Sequence, residues 1–289
     1  MAPEPDRRAT LAIPTRGEVN RLLVSAGVRP SRALGQNFVV DPNTVRRIAR
    51  IAEVGPGDRV VEIGAGLGSL TLALVETGAS VLAIEIDRHL TPVLRAQVEP
   101  LGVRVIEDDA LRLDWSAALG EWRGSGPGPW TLVANLPYNV ATPLVADLLD
   151  DVAAIGRMVV MVQREVGERL AAGVGDDAYG AVSVKVAYWA RAQVVGRVPA
   201  SVFVPRPNVE SVLVRIDRRS VPAVDPAVAP AARIFALVRA GFGQRRKMLR
   251  RSLAGMVDAE HFVAAGIDPQ ERAEELDIED WGRLAACLE

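Results

Sequence analysis

Cysteine is almost missing from this chain: Cys287 stands alone. That excludes an intramolecular disulfide and any metal cluster built on several thiolates. The two histidines, His89 and His261, lie far apart in sequence, which argues against a multi-histidine metal site. Lysine is nearly as scarce, since 32 of the 34 cationic residues are arginine. Aromatic residues make up only 4%. No stretch approaches the roughly 18–20 consecutive apolar residues of a membrane-spanning helix. The opening residues, MAPEPDRRATLAIPT, are broken by proline and charge and lack the apolar centre of a secretory signal. They read as a short flexible tail over residues 1–15. These scarcities point to a reduced, cytoplasmic protein without a metal.

What is present is a large apolar fraction, 49% of 289 residues, with 24% charged. A chain of that length and balance buries a sizeable core and is not disordered. The net charge of −2 excludes a uniformly basic nucleic-acid coat protein. The charge is segregated, however. Residues 1–50 carry nine arginines against four acids, and residues 233–257 carry seven cations and no acid. The last 32 residues carry ten acids against Arg272 and Arg283. A basic run of this kind is either a phosphate-binding patch or a solvated helix face.

Thr15 and Glu18 are spaced as a capping box, predicting a helix over 16–26. LGQNFVVDPN follows at 34–43, and a second helix runs from about 43 to 53. Val/Ile/Leu-rich strands then alternate with helices. The strands are GDRVVEIGAGLG at 57–68 (ending in a glycine loop), ASVLAIEID at 79–87, VRVIEDDA at 103–110, WTLVANLPYN at 130–139 and GRMVVMVQ at 156–163. This rhythm predicts an α/β fold with a parallel sheet covered on both faces. A helix near 178–190 and strands near 192–198 and 209–217 read as the antiparallel end of that sheet. The Pro/Ala-rich SVPAVDPAVAP at 220–230 marks a boundary. Helices near 230–242, 244–255, 258–265, 270–275 and 278–288 then predict a smaller all-helical domain. The expected division is therefore 16–220 and 221–289.

Glu62-Ile-Gly64-Ala-Gly66-Leu-Gly68 forms a strand–turn–helix junction of the sort that brings backbone close to a ligand at the carboxyl edge of a sheet. It departs from the nicotinamide fingerprint, because the third glycine comes one residue early and Glu62 would repel a pyrophosphate. A dehydrogenase is thereby disfavoured. Glu85, 21 residues after Gly64, is placed to accept ribose hydroxyls, and Asp109 to accept from an exocyclic amine. Taken together the three describe a site for adenosine carrying a sulfonium, S-adenosylmethionine. Asn135-Leu136-Pro137-Tyr138 then supplies acceptors for an amine and an aromatic face. Two fixed acceptors would favour the pyramidal nitrogen that a weakly nucleophilic adenine N6 must adopt. Such chemistry requires neither a histidine base nor a covalent nucleophile.

These stretches resemble a known family. The glycine turn is similar to the S-adenosylmethionine site of class I methyltransferases, and N-L-P-Y is similar to their N6-adenine motif. LGQNFVVD (34–41), FVPRPNVESV (203–212) and AGFGQRRKMLRRSL (240–253) are similar, in the same order, to segments of the ribosomal RNA adenine dimethyltransferases. The resemblance spans about residues 20–288. It implies a Rossmann-like methyltransferase domain followed by a helical RNA-docking domain. It also implies cofactor contacts at Asn37, Val39, Gly64, Gly66, Glu85, Asp109 and Asn135. The target adenine is expected against Asn135, Leu136 and Pro137, between Tyr138 and Phe203. Arg245, Arg246, Lys247 and Arg250 are the expected phosphate contacts. The implied product is a pair of adjacent N6,N6-dimethyladenosines in a hairpin near the 3′ end of 16S rRNA, made during small-subunit assembly by a monomer. Two alternatives use the same fold. One is a 23S rRNA dimethyltransferase of the macrolide-resistance type, although Arg272-Ala-Glu-Glu-Leu276 fits the small-subunit branch better. The other is a non-catalytic RNA-binding assembly factor.

Overall fold

The computed structural model describes residues 11–31, 35–120, 128–137 and 140–288. They fall into two compact units. One runs through Gly167 and includes Val194–Ile216; the other comprises Glu168–Gln193 and the residues from Asp217 onward.

The chain opens with α1 (Arg16–Ser25), the two-residue β1 (Phe38–Val39) and α2 (Pro42–Ala52). It continues through β2 (Arg59–Ile63), α3 (Ser69–Val75), β3 (Ser80–Glu85), α4 (Thr91–Val98) and β4 (Arg104–Glu107). Then come α5 (Trp115–Gly120), β5 (Trp130–Asn135), α6 (Ala141–Asp151), β6 (Ile155–Gln163), α7 (Arg164–Ala171) and α8 (Ala181–Trp189). They are followed by β7 (Ala190–Val198), β8 (Phe203–Val204) and β9 (Ser211–Arg218). The last helices are α9 (Ala231–Gly243), α10 (Leu249–Ser252), α11 (Ala259–Ala265) and α12 (Ile278–Ala286).

Local chemistry sets several of these elements. The Thr15 N–H and hydroxyl both reach Glu18 Oε2, at 2.8 and 2.7 Å, closing the expected capping box of α1. In α2 the Asp41 carboxylate accepts from the Asn43 and Thr44 N–H groups, and Pro42 occupies the first turn. Its buried residues Val45, Ile48, Ala49 and Ala52 recur at helical spacing. Residues 11–15 are not a free tail: Leu11 N donates to Glu76 Oε1 (2.8 Å), and Ile13 is buried in the core. The rest of the expected tail, residues 1–10, lies outside the described residues. Helix α5 was not anticipated; it is too short to show a period.

Seven strands among the described residues form one sheet in the order β4-β3-β2-β5-β6-β9-β7. The neighbours from β4 to β6 are parallel. Because β2, β3 and β5 are buried on both faces, their sequences are near-continuously apolar rather than alternating. From β2 the chain builds β3 and β4 on one side, then returns to β5 and β6 on the other. The strand order therefore reverses between β2 and β5, the position at which open α/β sheets bind ligands beyond their carboxyl ends. A separate antiparallel pair joins β1 to β8, with Val39 opposite Phe203 and Phe38 opposite Val204.

The second unit packs α9 to α12 around a core that includes Tyr179, Val184 and Tyr188. The Tyr179 ring meets Phe242 edge-on at 5.9 Å and its hydroxyl donates to the Leu276 carbonyl at 2.9 Å. Tyr188 stands edge-on to Phe235 at 5.2 Å. These contacts assign Glu168–Gln193 to the helical unit, whereas the sequence reading drew a single cut at 220. The expected helix at 244–255 shrinks to α10. Met248 forms an isolated bridge with Arg272, and the Leu249 and Arg250 N–H groups bond to the carbonyls of Glu271 and Pro269. Those donors pair across the chain, so the arginine run lies largely on a turn. The helix expected at 270–275 is likewise only a 3-10 turn at Ala273–Glu275. No helix among the described residues is long and apolar enough to cross a membrane.

Candidate active site

At the carboxyl ends of β2, β3 and β5 the first unit forms an open cleft lined by Glu62, Gly64, Glu85 and Asn135 among others. The turn after β2 makes one wall. Gly64, Gly66 and Gly68 all have positive φ (72°, 58° and 83°), which L side chains adopt only at a cost. A side chain at Gly66 would also press on the Phe38 ring, whose atoms lie 3.1–3.2 Å from the Cβ position. Glycine here serves both the turn and the close approach of β1.

Two carboxylates face this turn. Glu85, at the end of β3, accepts from Gly66 N (2.7 Å) and Asp87 N (2.9 Å), so β3 and the glycine turn are tied together. It is buried, and burial raises its pKa despite those donors. Glu62, at the end of β2, is 1% exposed; its Oε2 has no well-formed hydrogen bond among the described residues, and only the nearby Thr71 hydroxyl opposes the rise in its pKa. Burial, with the Glu85 charge adding to it, pushes the Glu62 pKa up to about 8. In the unfolded chain the same carboxyl ionises near 4.5, so between about pH 4.5 and 8 the folded state holds a proton that the unfolded state has lost. Stability therefore declines as pH rises through that window, by up to about 1.4 kcal/mol per unit for one proton. Glu62→Gln should flatten this part of the slope; urea midpoints at pH 5 and pH 8 measure it. An unchanged slope would mean that Glu62 ionises normally.

The opposite wall is the segment Gly35–Val39. Asn135, at the end of β5, donates from Nδ2 to the Asn37 carbonyl (3.0 Å). A carbonyl only accepts, so this bond sets the Asn135 amide and leaves Oδ1 as an acceptor with no donor among the described residues. Leu136 N bonds to the Met161 carbonyl, which continues the pairing with β6. The Pro137 carbonyl accepts from Val140 and Ala141 at the start of α6, whereas the Leu136 carbonyl beside Asn135 has no donor among the described residues. A second hollow of about 610 Å³ shares Gly64, Ile86 and Pro137 with the first. Its lining is apolar (Ile63, Ile84, Leu136 and Leu144 among others), with Asp108 and Asp109 also present.

Of the residues expected from sequence, Asn37, Val39, Gly64, Gly66, Glu85, Asn135 and Pro137 meet in the first cleft. Asp109, Leu136 and Pro137 line the second. Tyr138 lies outside the described residues. Phe203 does not reach either hollow: it is 2% exposed and packs in the core, opposite Val39 in the β1–β8 pair. The expected stacking face is thus a core residue in this structure. The sequence pattern assigns no contact to Gln36 or Phe38, although both line the cleft beside Glu62, the acid expected to repel a phosphate. The first two sit inside the quoted G-Q-N-F segment, and Glu62 opens the glycine motif.

In the helical unit Arg246, Lys247 and Arg250 are exposed and have no acidic partner among the described residues. Arg245 is different. Its Nε pairs with Glu274 Oε2 at 2.5 Å and its Nη2 donates to the Asp177 carbonyl at 3.1 Å, so its charge is already engaged. No group of three or more His, Cys, Asp or Glu side chains among the described residues is placed to hold a metal ion.

The donor set fits S-adenosylmethionine. A bound cation would lower the pKa of the buried Glu62 carboxyl and favour its charged form, Glu85 could offer carboxylate oxygens to ribose hydroxyls, and the apolar hollow with Asp108 and Asp109 could take an adenine. Comparison with known proteins agrees. A family model described as ribosomal RNA adenine dimethylase matches residues 29–289. The ribosomal RNA small subunit methyltransferase A of Streptomyces coelicolor is 47% identical over 274 residues, covering 93% of this chain and 94% of the relative. That of Cutibacterium acnes is 48% identical, covering 93% and 92%. Among solved structures, the 23S rRNA methyltransferase ErmE superposes with a TM-score of 0.66 at 25% identity, covering 87% of this chain and 99% of ErmE. A dimethyladenosine transferase from Plasmodium falciparum, at 23% identity and a TM-score of 0.68 over 84% of this chain and 94% of its own, shows the same fold. With the glycine turn, Glu85 and the Asn-Leu-Pro strand end assembled on a class I methyltransferase sheet, and with relatives that match nearly end to end, the chain belongs to the ribosomal RNA adenine dimethylase family and is an S-adenosylmethionine-dependent methyltransferase.

Proposed function

We propose that this protein dimethylates N6 of two adjacent adenosines in the hairpin near the 3′ end of 16S rRNA. In this reading it acts in the cytoplasm, as a monomer, during small-subunit assembly. One observation carries the chemistry: at the end of β5, beside the Glu62–Glu85 cleft, Asn135 Oδ1 and the Leu136 carbonyl accept no hydrogen bond from the described residues. When bound, S-adenosylmethionine supplies an electrophilic methyl group. Asn37, Val39, Gly64, Gly66, Glu85 and Asn135 would hold it, with Asp109 toward its base.

The chain's own part is positioning and polarity. An adenine N6 is a weak nucleophile because its lone pair is delocalised into the ring. Asn135 Oδ1 and the Leu136 carbonyl accept from its two N–H bonds and favour the pyramidal geometry in which that lone pair is available. After the first methylation one N–H remains, and a single acceptor serves the second. Pro137 fixes the backbone that carries both acceptors, and Tyr138 is proposed to stack on the base. A base paired in a helix cannot reach this site, so the substrate presents a loop or a flipped-out adenosine. Arg246, Lys247 and Arg250 are proposed to hold the surrounding phosphates.

The small-subunit reading is favoured by relatives at 47–48% identity that carry that name, against 25% for the 23S enzyme ErmE. The test is transfer of labelled methyl groups to small subunits lacking the dimethyladenosines, with unmodified 23S rRNA as the competing substrate. Label as dimethyladenosine confined to the 16S hairpin supports the reading, and label on 23S rRNA replaces it. Binding to small subunits with no transfer to either RNA would leave an assembly factor.

A further inference from the structure

Gln36 lies in the cleft wall, and both ends of its side chain are engaged. Its Oε1 accepts from Ser31 N at 2.8 Å, and its Nε2 donates to Asp87 Oδ2 at 2.7 Å. Asp87 is itself nearly buried, at 9% exposure. Its Oδ1 accepts from His89 N (2.9 Å) and its own N–H donates to Glu85 Oε1 (2.9 Å). Glu85 in turn holds Gly66. A chain of hydrogen bonds therefore runs from Ser31 through Gln36, Asp87 and Glu85 to the glycine turn.

The residues flanking Gln36 touch the other side of the site. Gly35, with φ 62°, packs so closely on Pro137 that a Cβ there would lie 2.7 Å from the proline Cβ. Asn37 offers the carbonyl that sets the Asn135 amide. If that carbonyl moves away, the Asn135 amide can turn over and point a donor at a substrate amine that is itself a donor. We propose that Gln36 is a positioning residue for methyl transfer: its clasp on Asp87 holds the Asn37 carbonyl against Asn135 and so keeps Asn135 Oδ1 facing the target nitrogen. This rests on the reading above in which Asn135 accepts from N6.

Exchanging the polarity of the clasp tests it. Gln36→Glu sets a carboxylate against Asp87, with the buried Glu85 next in the chain, so three acids share one corner. Two carboxylates this close relax only by sharing a proton. The ratio of variant to wild-type kcat should be lowered on the order of 10- to 100-fold at pH 8 and recover as the pH falls toward 5.5. The KM for RNA should stay within about threefold, since the clasp orients rather than binds. Asp87→Asn alone places an amide against an amide and should also lower kcat. The double variant Gln36→Glu/Asp87→Asn restores a donor facing an acceptor, with the direction reversed. It leaves an oxygen for Ser31 N and another for His89 N, and should recover most of the wild-type kcat.

A merely structural role would lower thermal stability and activity together, with no recovery at low pH. Gln36→Glu as active as wild type at pH 8 would overturn the proposal, as would a folded double variant no better than either single one. Wild-type protein that transfers no methyl group to rRNA would overturn the functional reading itself, and the proposal with it. An active wild type with the wrong variant pattern removes the clasp alone.

Discussion

Asn135→Ala should lower kcat for methyl transfer by on the order of 10²–10³-fold, with RNA affinity unchanged within about threefold. The expectation follows from where the side chain sits. Asn135 ends β5, and its backbone is paired with Met161 of β6 while β2 pairs as far as the preceding Ala134, so the main chain is insensitive to truncation beyond Cβ. The substitution removes the Oδ1 acceptor and leaves the Asn37 carbonyl without its donor. The transition state, in which the nitrogen becomes pyramidal and gains positive charge, loses more than the ground state does. The deficit therefore appears in kcat rather than in KM. Single-turnover rates with saturating S-adenosylmethionine, alongside equilibrium RNA binding, separate the two quantities. A loss of RNA affinity in step with activity would make Asn135 a binding residue instead.

The second large effect concerns the cations of the turn after α9 and of the first residues of α10. Replacing Arg246, Lys247 and Arg250 together with alanine should weaken RNA binding on the order of 100-fold near 0.15 M salt. The slope of log affinity against log salt should fall by about 0.7–0.9 for each lost phosphate contact, about 2–2.7 in all. These three side chains are exposed and lack acidic partners, so they are free to replace counterions on RNA. Arg245→Ala serves as the internal contrast. Its guanidinium is held by Glu274 and the Asp177 carbonyl, so its loss should lower the stability of the helical unit and leave the salt slope nearly unchanged. Filter binding across a salt series, with thermal melting beside it, distinguishes the two. A triple variant with the wild-type slope would make the turn a solvated surface.

Much of the site could be read before folding because its signals are local. The glycine turn needs positive φ at Gly64, Gly66 and Gly68, and few residues other than glycine adopt it. Glu85 follows at the spacing of one strand–helix–strand step, and the parallel sheet brings it beside the turn. Buried parallel strands must be apolar throughout, so β2, β3 and β5 stand out in the chain. The Thr15–Glu18 box needs only three residues of separation. Each of these depends on period or backbone conformation over a short stretch.

What could not be read depends on pairings between distant segments. Phe203 has the composition of a stacking residue in its motif, yet its pairing with Val39, across some 160 residues, buries it. The arginine run at 245–251 has helical composition, but it breaks into a turn at 245–247 before α10, where residues 248–250 bond to residues 269–272, and Glu274 takes one of its cations. Tyr179 and Tyr188 sit before the predicted boundary and join the helical core because their rings find partners there. Sequence alone was enough for the sheet and the glycine turn, since backbone geometry constrains them residue by residue. Folding in three dimensions chose which charges stay free and which way the Asn135 amide points. Those outcomes depend on which donor meets which acceptor across the chain, and no local pattern encodes that.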